Sequence, residues 1–464
     1  MPSPEPLTAA DRARRAAQAR TAAARLAADG VDGVAVTWVD TGGITRVKAV
    51  PLSRLEQAAS WGVGASPVFD AFLLDDSTVS GRYAGGPVGD LRLHPDLDRL
   101  TRLAALPGWA WAPADRYDQD GLPHPLDARM LARRETDRLA GAGYGIRAAF
   151  EIEWCVSAGT GDEFVPACRG PAYGMARLTE LGGYLREVLT ALAAQGVAVE
   201  QVHPEYAAGQ YEVSVAAADP VGAADLAVLV RETVRAVTVR HGMRATFAPK
   251  VLADGVGNGG HLHLSLWRDG TNLMSGGPGP CGLTPEGEGF AAGILERLPA
   301  LLAVGAPSVA SYLRLVPSHW AGAFACWGRE NREAALRLVT GSRGERDRAA
   351  NIEIKCVDLS ANPYLLVAAA LAAGRAGAEA GLRLPEPVDI DPAGMDEETR
   401  RKRGIAALPG SLAEAVALFE ADPVLGEALG PEVVDTVATV RRGEIALFAG
   451  ASPEEIVARS RWRH

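Results

Sequence analysis

Four separated stretches of the chain alternate polar and apolar residues with a period of two. Glu151 and Glu153 alternate with Phe150, Ile152 and Trp154, and Gln210 and Glu212 with Tyr211 and Val213. His261, His263 and Ser265 alternate with Leu262, Leu264 and Leu266, and Glu353 and Lys355 with Ile352, Ile354 and Cys356. Period two puts each polar set on one face of a strand. A lone strand of this kind normally has one wet face and one core face. Four of them carrying acids or imidazoles in the same phase predict one curved sheet, polar on its concave face and covered by helices behind.

The rest of the pattern is plainer. Residues 34–50 read as a hairpin, with Val34, Val36 and Trp38 alternating before a turn at Asp40 to Gly43. A loop-rich stretch runs on through Pro107 and Pro113. Beyond it strand-like and helix-like segments alternate. Helices are predicted over 222–241, closed by Gly242, and over 363–380, opened by Pro363.

With 464 residues the chain is too long for one core, and we divide it at 1–115 and 116–464. A formal charge of −10 gives no electrostatic reason to bind nucleic acid or an anionic membrane. No stretch approaches the roughly 20 apolar residues that span a bilayer. Residues 10–29, rich in Ala and Arg, read as an exposed terminal helix stopped by Gly30, not as a leader. The five cysteines, Cys155, Cys168, Cys281, Cys326 and Cys356, are scattered, which predicts reduced thiols in a cytoplasmic protein.

Glu151, Glu153, Glu205, Glu212, Glu353 and His261 are the candidates for chemistry. Five carboxylates cannot share a site without cations, because like charges repel. Oxygen-dominated ligation with one imidazole points to Mg²⁺ or Mn²⁺, two or three ions in all, which can clamp a transferring phosphoryl group. Arg314, Arg329, Arg332, Arg337, Arg343, Arg346 and Arg348 lie in one short span and suit phosphate oxygens. The glycine run from Gly255 to Gly260 fits a dinucleotide fingerprint but precedes a strand, so that reading fails. No P-loop is present, and ATP must be held otherwise.

Taken in order, FEIEW (150–154), HPEYAAGQYEV (203–213), TFAPK (246–250), GNGGHLHLSL (257–266), SYLRLVP (311–317), NREAALRL (331–338) and NIEIKCVDLSANPYL (351–365) resemble type I glutamine synthetases. The resemblance implies an α+β fold: a small N-terminal β-grasp-like domain and a catalytic half-barrel of antiparallel strands backed by helices. It implies a dodecamer of two hexameric rings. It also implies ATP-dependent capture of an amine by γ-glutamyl phosphate. By position, Glu153, Glu205 and Glu212 resemble ligands of one metal, and Glu151, His261 and Glu353 those of a second. Arg332 and Arg337 match arginines that steady phosphate, and Ser265 and Arg348 fall on the nucleotide side. Gly257 and Arg314 match glutamate-binding positions, where Lys355 replaces an arginine. Active sites are expected between neighbouring subunits: Asp70 resembles the carboxylate that a neighbouring subunit contributes to help deprotonate the amine, with Tyr173 and Glu205 in the same site.

Three departures shape the expected substrate. Trp320 stands where the family's flap carries a glutamate, and an indole cannot take a proton. It offers apolar surface and a cation–π face, which suit an ammonium bearing carbon. Asn351 replaces an arginine near the phosphates, and residues 385–410 hold no tyrosine to be adenylylated. The expectation is a γ-glutamyl amide ligase for a small organic amine, with ethanolamine favoured. A polyamine substrate, for whose distal charges Asp75 and Asp76 are candidates, and an ordinary ammonia-using enzyme are the alternatives. A non-catalytic ring protein would have lost metal ligands.

Overall fold

The computed structural model describes residues 5–464. Its first helix, Ala9–Ala28, opens with a capping box: Thr8 Oγ1 accepts from the Asp11 N–H and Asp11 from the Thr8 N–H. Its Ala19 and Leu26 are buried in the core formed with Val34, Val36, Trp38 and Leu93. The predicted hairpin is Gly33–Val39 paired antiparallel with Thr45–Pro51. Asp40 Oδ1 closes its turn by accepting the Ile44 N–H at 2.9 Å. Gly33–Val39 also pairs, in parallel, with Trp109–Tyr117, whose last residues run past the boundary drawn at 115. The stretch read as loop-rich adds the short strands Val63–Ala65, Leu91–Pro95 and Thr101–Arg102, making a six-stranded sheet.

A ten-stranded sheet forms the second layer. Along it run Ala406–Ala407, Phe324–Arg329, Ala334–Val339, Asn351–Ile354, Leu262–Arg268, Gly145–Ser157, Gln210–Val215 and Val199–Pro204. The four alternating segments of the sequence are therefore consecutive neighbours. Register puts His263 opposite Glu353, and Glu153 opposite Glu212. Ile152, Trp154, Leu262, Leu264, Ile352 and Ile354 are buried on the other face, where deleting one aliphatic side chain costs about 2–5 kcal/mol. The antiparallel expectation needs one correction. Phe324–Arg329 and Ala334–Val339 run parallel, joined by residues 330–333, where Glu330 is left-handed (φ +53°) and the Ala334 N–H donates to the Asn331 carbonyl.

Helices cover the buried face. Pro220–Arg240 starts at the Asp219 cap, and its chain turns away at Gly242 (φ +68°). Pro363–Ala380 starts where the Asn362 side chain accepts the N–H groups of Tyr364 and Leu365, and ends on left-handed Gly381. It crosses Pro285–Gly305 closely enough that a Cβ on Gly293 would lie 2.3 Å from the Ala373 carbonyl oxygen.

Candidate active site

The polar face of the large sheet floors a cavity of about 830 Å³. Its lining includes Glu151, Glu153, Glu205, Glu212, His261, Arg314, Arg332, Arg337 and Lys355. Strand alternation aims the acids inward, and their apolar neighbours anchor the strands from behind. Gly259 lets the preceding loop pass close over this floor: a Cβ there would meet His261 Nε2 at 2.5 Å and Glu153 Oε1 at 2.7 Å.

Two groups of ligand atoms come together. In one, His263 Nε2 is 3.1 Å from Glu151 Oε1 and 3.8 Å from Glu353 Oε1. His261 Nδ1 joins it, 2.9 Å from Glu151 Oε2 and 3.1 Å from Glu353 Oε1. Asn351 Oδ1, 2.9 Å from His263 Nδ1, orients that ring. In the other group His203 stands 3.2 Å from Glu212 and 3.5 Å from Glu205. Glu153 lies between the groups, accepting from Gln210 Nε2 at 2.9 Å. Sequence reasoning left out His203 and gave His263 no role. The signal for His203 was its place two residues before Glu205, on the strand that pairs with the Glu212 strand.

The charges are uneven. Burial pushes the Glu153, Glu205 and Glu212 carboxyls up, and the charge of Glu212 adds to the effect on Glu205. At Glu353 burial is outweighed by Lys355 and the two imidazoles, which hold the carboxyl well below its usual range. The Glu212 hydrogen bond raises His203 to about 9. Such a set of carboxylates and imidazoles fits hard divalent cations, whose charge it lacks. Arg337 spans Glu353 and Glu330 at 3.1 and 3.0 Å, and Lys355 Nζ is 3.2 Å from Glu353. Arg314 crosses behind His261 to the carbonyls of Lys355 and Val357. Lys250, from the TFAPK segment, lines the cavity and donates to the Gly255 carbonyl, fixing the glycine loop that holds Gly257.

Not every expected residue arrives here. Asp70 lies away from this chain's own cavity. It is buried on Pro67–Ala71 and bound by Arg116 Nη1 at 2.8 and 2.9 Å, with His124 at 3.4 Å, and it does not line the cavity. Ser265 is buried and accepts from Trp267 Nε1 at 2.8 Å, away from the lining. Arg348 is exposed and pairs with Glu345, and Arg329, Arg343 and Arg346 are exposed too. Asp75 binds its own turn at Ser77, while Asp76 pairs with Arg46 and Arg463. The mouth carries Trp320, Tyr206 and Tyr173, 52, 54 and 47 % exposed, the last donating to Glu205 at 2.9 Å.

Residues 125–458 match the glutamine synthetase catalytic domain profile. Over 95 % of both chains, the sequence is 58 % identical to gamma-glutamylpolyamine synthetase GlnA3 of Streptomyces coelicolor. It is 34 % identical to the glutamine synthetase of Pyrococcus furiosus over 86 % of each. This chain belongs to the glutamine synthetase family. Solved structures agree: a novel glutamine synthase homolog superposes with a TM-score of 0.84 at 35 % identity, covering 94 % of this chain and 99 % of that one. A GmaS–ADP complex gives 0.81 at 28 %, over 93 % and 96 %. As a glutamine synthetase family member the protein is a carbon–nitrogen ligase, of a family that uses ATP and divalent metals. No helix among the described residues is long and apolar enough to cross a membrane.

Proposed function

We propose that this ligase joins the γ-carboxyl of glutamate to an amino group of a polyamine, at the expense of ATP. The ethanolamine preference drawn from the sequence gives way to this reading. The observation that carries it is the cavity mouth, where three half-exposed aromatic side chains stand beside Glu205. A long cation needs aromatic and apolar surface for its methylenes and acceptors for its charges, whereas ethanolamine needs little of either. The strong likeness to a gamma-glutamylpolyamine synthetase supports the same choice. Asp75 and Asp76 lie outside this chain's own cavity, bonded to Ser77 and to Arg46 and Arg463 respectively.

In this reading Glu151, Glu353, His261 and His263 hold one divalent ion, and Glu153, Glu205, Glu212 and His203 a second. Mg²⁺ or Mn²⁺ supplies charge neutralisation for phosphoryl transfer. Arg332 and Arg337 face the phosphates, and Arg314, Lys355 and the Gly257 loop seat glutamate. The γ-carboxylate oxygen attacks the terminal phosphorus and ADP leaves. The ammonium gives one proton to solvent at the mouth, where Glu205 and Tyr173 face it; the free amine attacks the activated carbonyl carbon, and phosphate leaves, taking up the second nitrogen proton. Asp70, bound to Arg116, does not reach this chain's own cavity, and by the family resemblance it belongs to the site of a neighbouring subunit. A cytoplasmic dodecamer of two hexameric rings completes the proposal.

The test is phosphate release from ATP with glutamate and Mg²⁺, varying only the amine among ammonium, ethanolamine, putrescine and spermine, with products weighed by mass spectrometry. Turnover driven by putrescine or spermine and not by ammonium is expected. Ammonium or ethanolamine as the best acceptor would overturn the polyamine assignment.

A further inference from the structure

We infer that Glu333 is a positioning residue: its carboxylate holds the Trp320 backbone at the cavity mouth and thereby sets the affinity for the amine. The inference rests on the γ-glutamylpolyamine reading and deepens it. Ser318 and Trp320 have φ of +59° and +54°, a left-handed region that residues bearing a Cβ enter rarely. Such a conformation persists only where the surroundings hold it. Two carboxylates do so here. Glu333 Oε1 accepts the Trp320 N–H at 2.8 Å, and Asp391 Oδ2 accepts from Ser318 Oγ at 2.7 Å.

The tether has a fixed foot. The Glu333 N–H donates to Asn331 Oδ1 at 3.0 Å, and Asn331 Nδ2 donates to the carbonyls of Val388 and Ile390 at 2.9 and 3.0 Å. Residues 330–333, Asp391 and the Trp320 loop are thus one hydrogen-bonded assembly. Glu333 itself is buried and does not line the cavity, whereas Arg332 and Trp320 on either side of it do. One short return therefore fixes both the arginine on the phosphate side and the indole on the amine side. Removing the Glu333 acceptor frees the indole while leaving the guanidinium of Arg332 in place.

KM for the amine, for glutamate and for ATP would be measured in wild type, Glu333→Ala, Glu333→Gln and Ser318→Ala, with melting temperature alongside. A charge-assisted hydrogen bond to a backbone N–H is lost in Glu333→Ala, so the amine KM should rise about tenfold. KM for glutamate and ATP should stay within about twofold, a split that general loosening of the fold would not give. Glu333→Gln keeps a carbonyl oxygen acceptor and should restore most of the amine affinity. Ser318→Ala alters an exposed hydroxyl, should fold even if Glu333→Ala does not, and should raise the amine KM about threefold. An unchanged amine KM in both alanine variants, or equal rises in all three KM values, overturns the inference. The wild-type amine profile alone decides the polyamine reading. The tether is read with whichever amine the wild type uses, so the two failures are distinct.

Discussion

Two regions of this molecule bury many charges, and only one of them is closed. Between the six-stranded sheet and the helices behind the large sheet, Arg116 binds Asp70, and Arg129 binds Asp96, Asp115 and Asp225 at 2.7 to 2.9 Å. Tyr364 adds a donor to Asp225 at 2.7 Å, and Arg133 one to Asp115 at 3.0 Å. Burial penalises Asp70 and Asp115, but their arginines outweigh it and both carboxyls stay below the usual range. Burial does win at Asp225, and in the cavity Glu353 stays low beside Lys355, but Glu153, Glu205 and Glu212 are all pushed up, with no arginine or lysine among the described residues bonded to their carboxylates. Acid in excess of local cations marks a place that awaits positive charge, whereas acid matched by arginine marks a joint.

The sharpest way to break that contrast is to remove acid from each region. Glu212→Gln should lower kcat by about a thousandfold, the scale of losing a group that stabilises transferring charge. Measured without metal, the same variant should melt no lower than wild type, because it relieves repulsion. Asp70→Ala should do the reverse. It leaves Arg116 buried without its main partner, a loss of about 3–5 kcal/mol read by denaturant unfolding. The acid limb offers a check. The folded Asp70 carboxyl is held below its unfolded value of about 3.9. Its contribution is therefore present above that value and lost as pH falls through the lowered folded one. Asp70→Asn should accordingly lose less stability than wild type between pH 7 and pH 3. Equal stability losses in the Glu212 and Asp70 variants would erase the distinction.

Metal sharpens the contrast from the other side. An ion that binds only the folded protein stabilises it by about 2.7 kcal/mol at a hundred times its Kd. Mg²⁺ or Mn²⁺ should therefore raise the melting temperature of wild type and of Asp70→Ala alike. Glu212→Gln should show a clearly smaller rise. Calorimetric titration of the three proteins checks this, and an undiminished response in Glu212→Gln would remove Glu212 from the ion's ligands.

The same contrast explains what could be read in the sequence. Glu151, Glu153, Glu212, His261 and Glu353 were legible because strand alternation projects each side chain onto a face fixed by its neighbours. The helix at 363–380 was legible from Pro363, which acts locally in its first turn. The pairing of Asp70 with Arg116 was not legible, because Arg116 lies on a distant strand and nothing around Asp70 in sequence announces it. Ser265 and Arg348 shared the right stretches, yet one faces Trp267 and the other solvent. His263 shares the face of His261, but only the fold brings Asn351 beside its ring. The parallel return at 330–333, and with it the Glu333 tether, depends on contacts with residues 388–391 that no local pattern encodes.

The smallest expected effect bears on the mouth of the open region. Trp320→Glu exchanges an aromatic face for one more carboxylate in a cavity already rich in them. A cation–π contact at a partly exposed site is worth about 0.5–1 kcal/mol, and the indole's apolar contact adds to it. Roughly tenfold lower kcat/KM for the polyamine is therefore expected. Turnover with ammonium should rise from the wild-type level, because a small hydrated cation is better served by carboxylate oxygen than by an indole. The left-handed backbone at this position penalises glutamate and tryptophan alike, so the exchange tests the side chain and not the loop. Competition between ammonium and putrescine in a single reaction, with both products quantified, measures the ratio directly. A ratio that does not move would mean that Tyr206, Tyr173 and Glu205 select the amine without the indole.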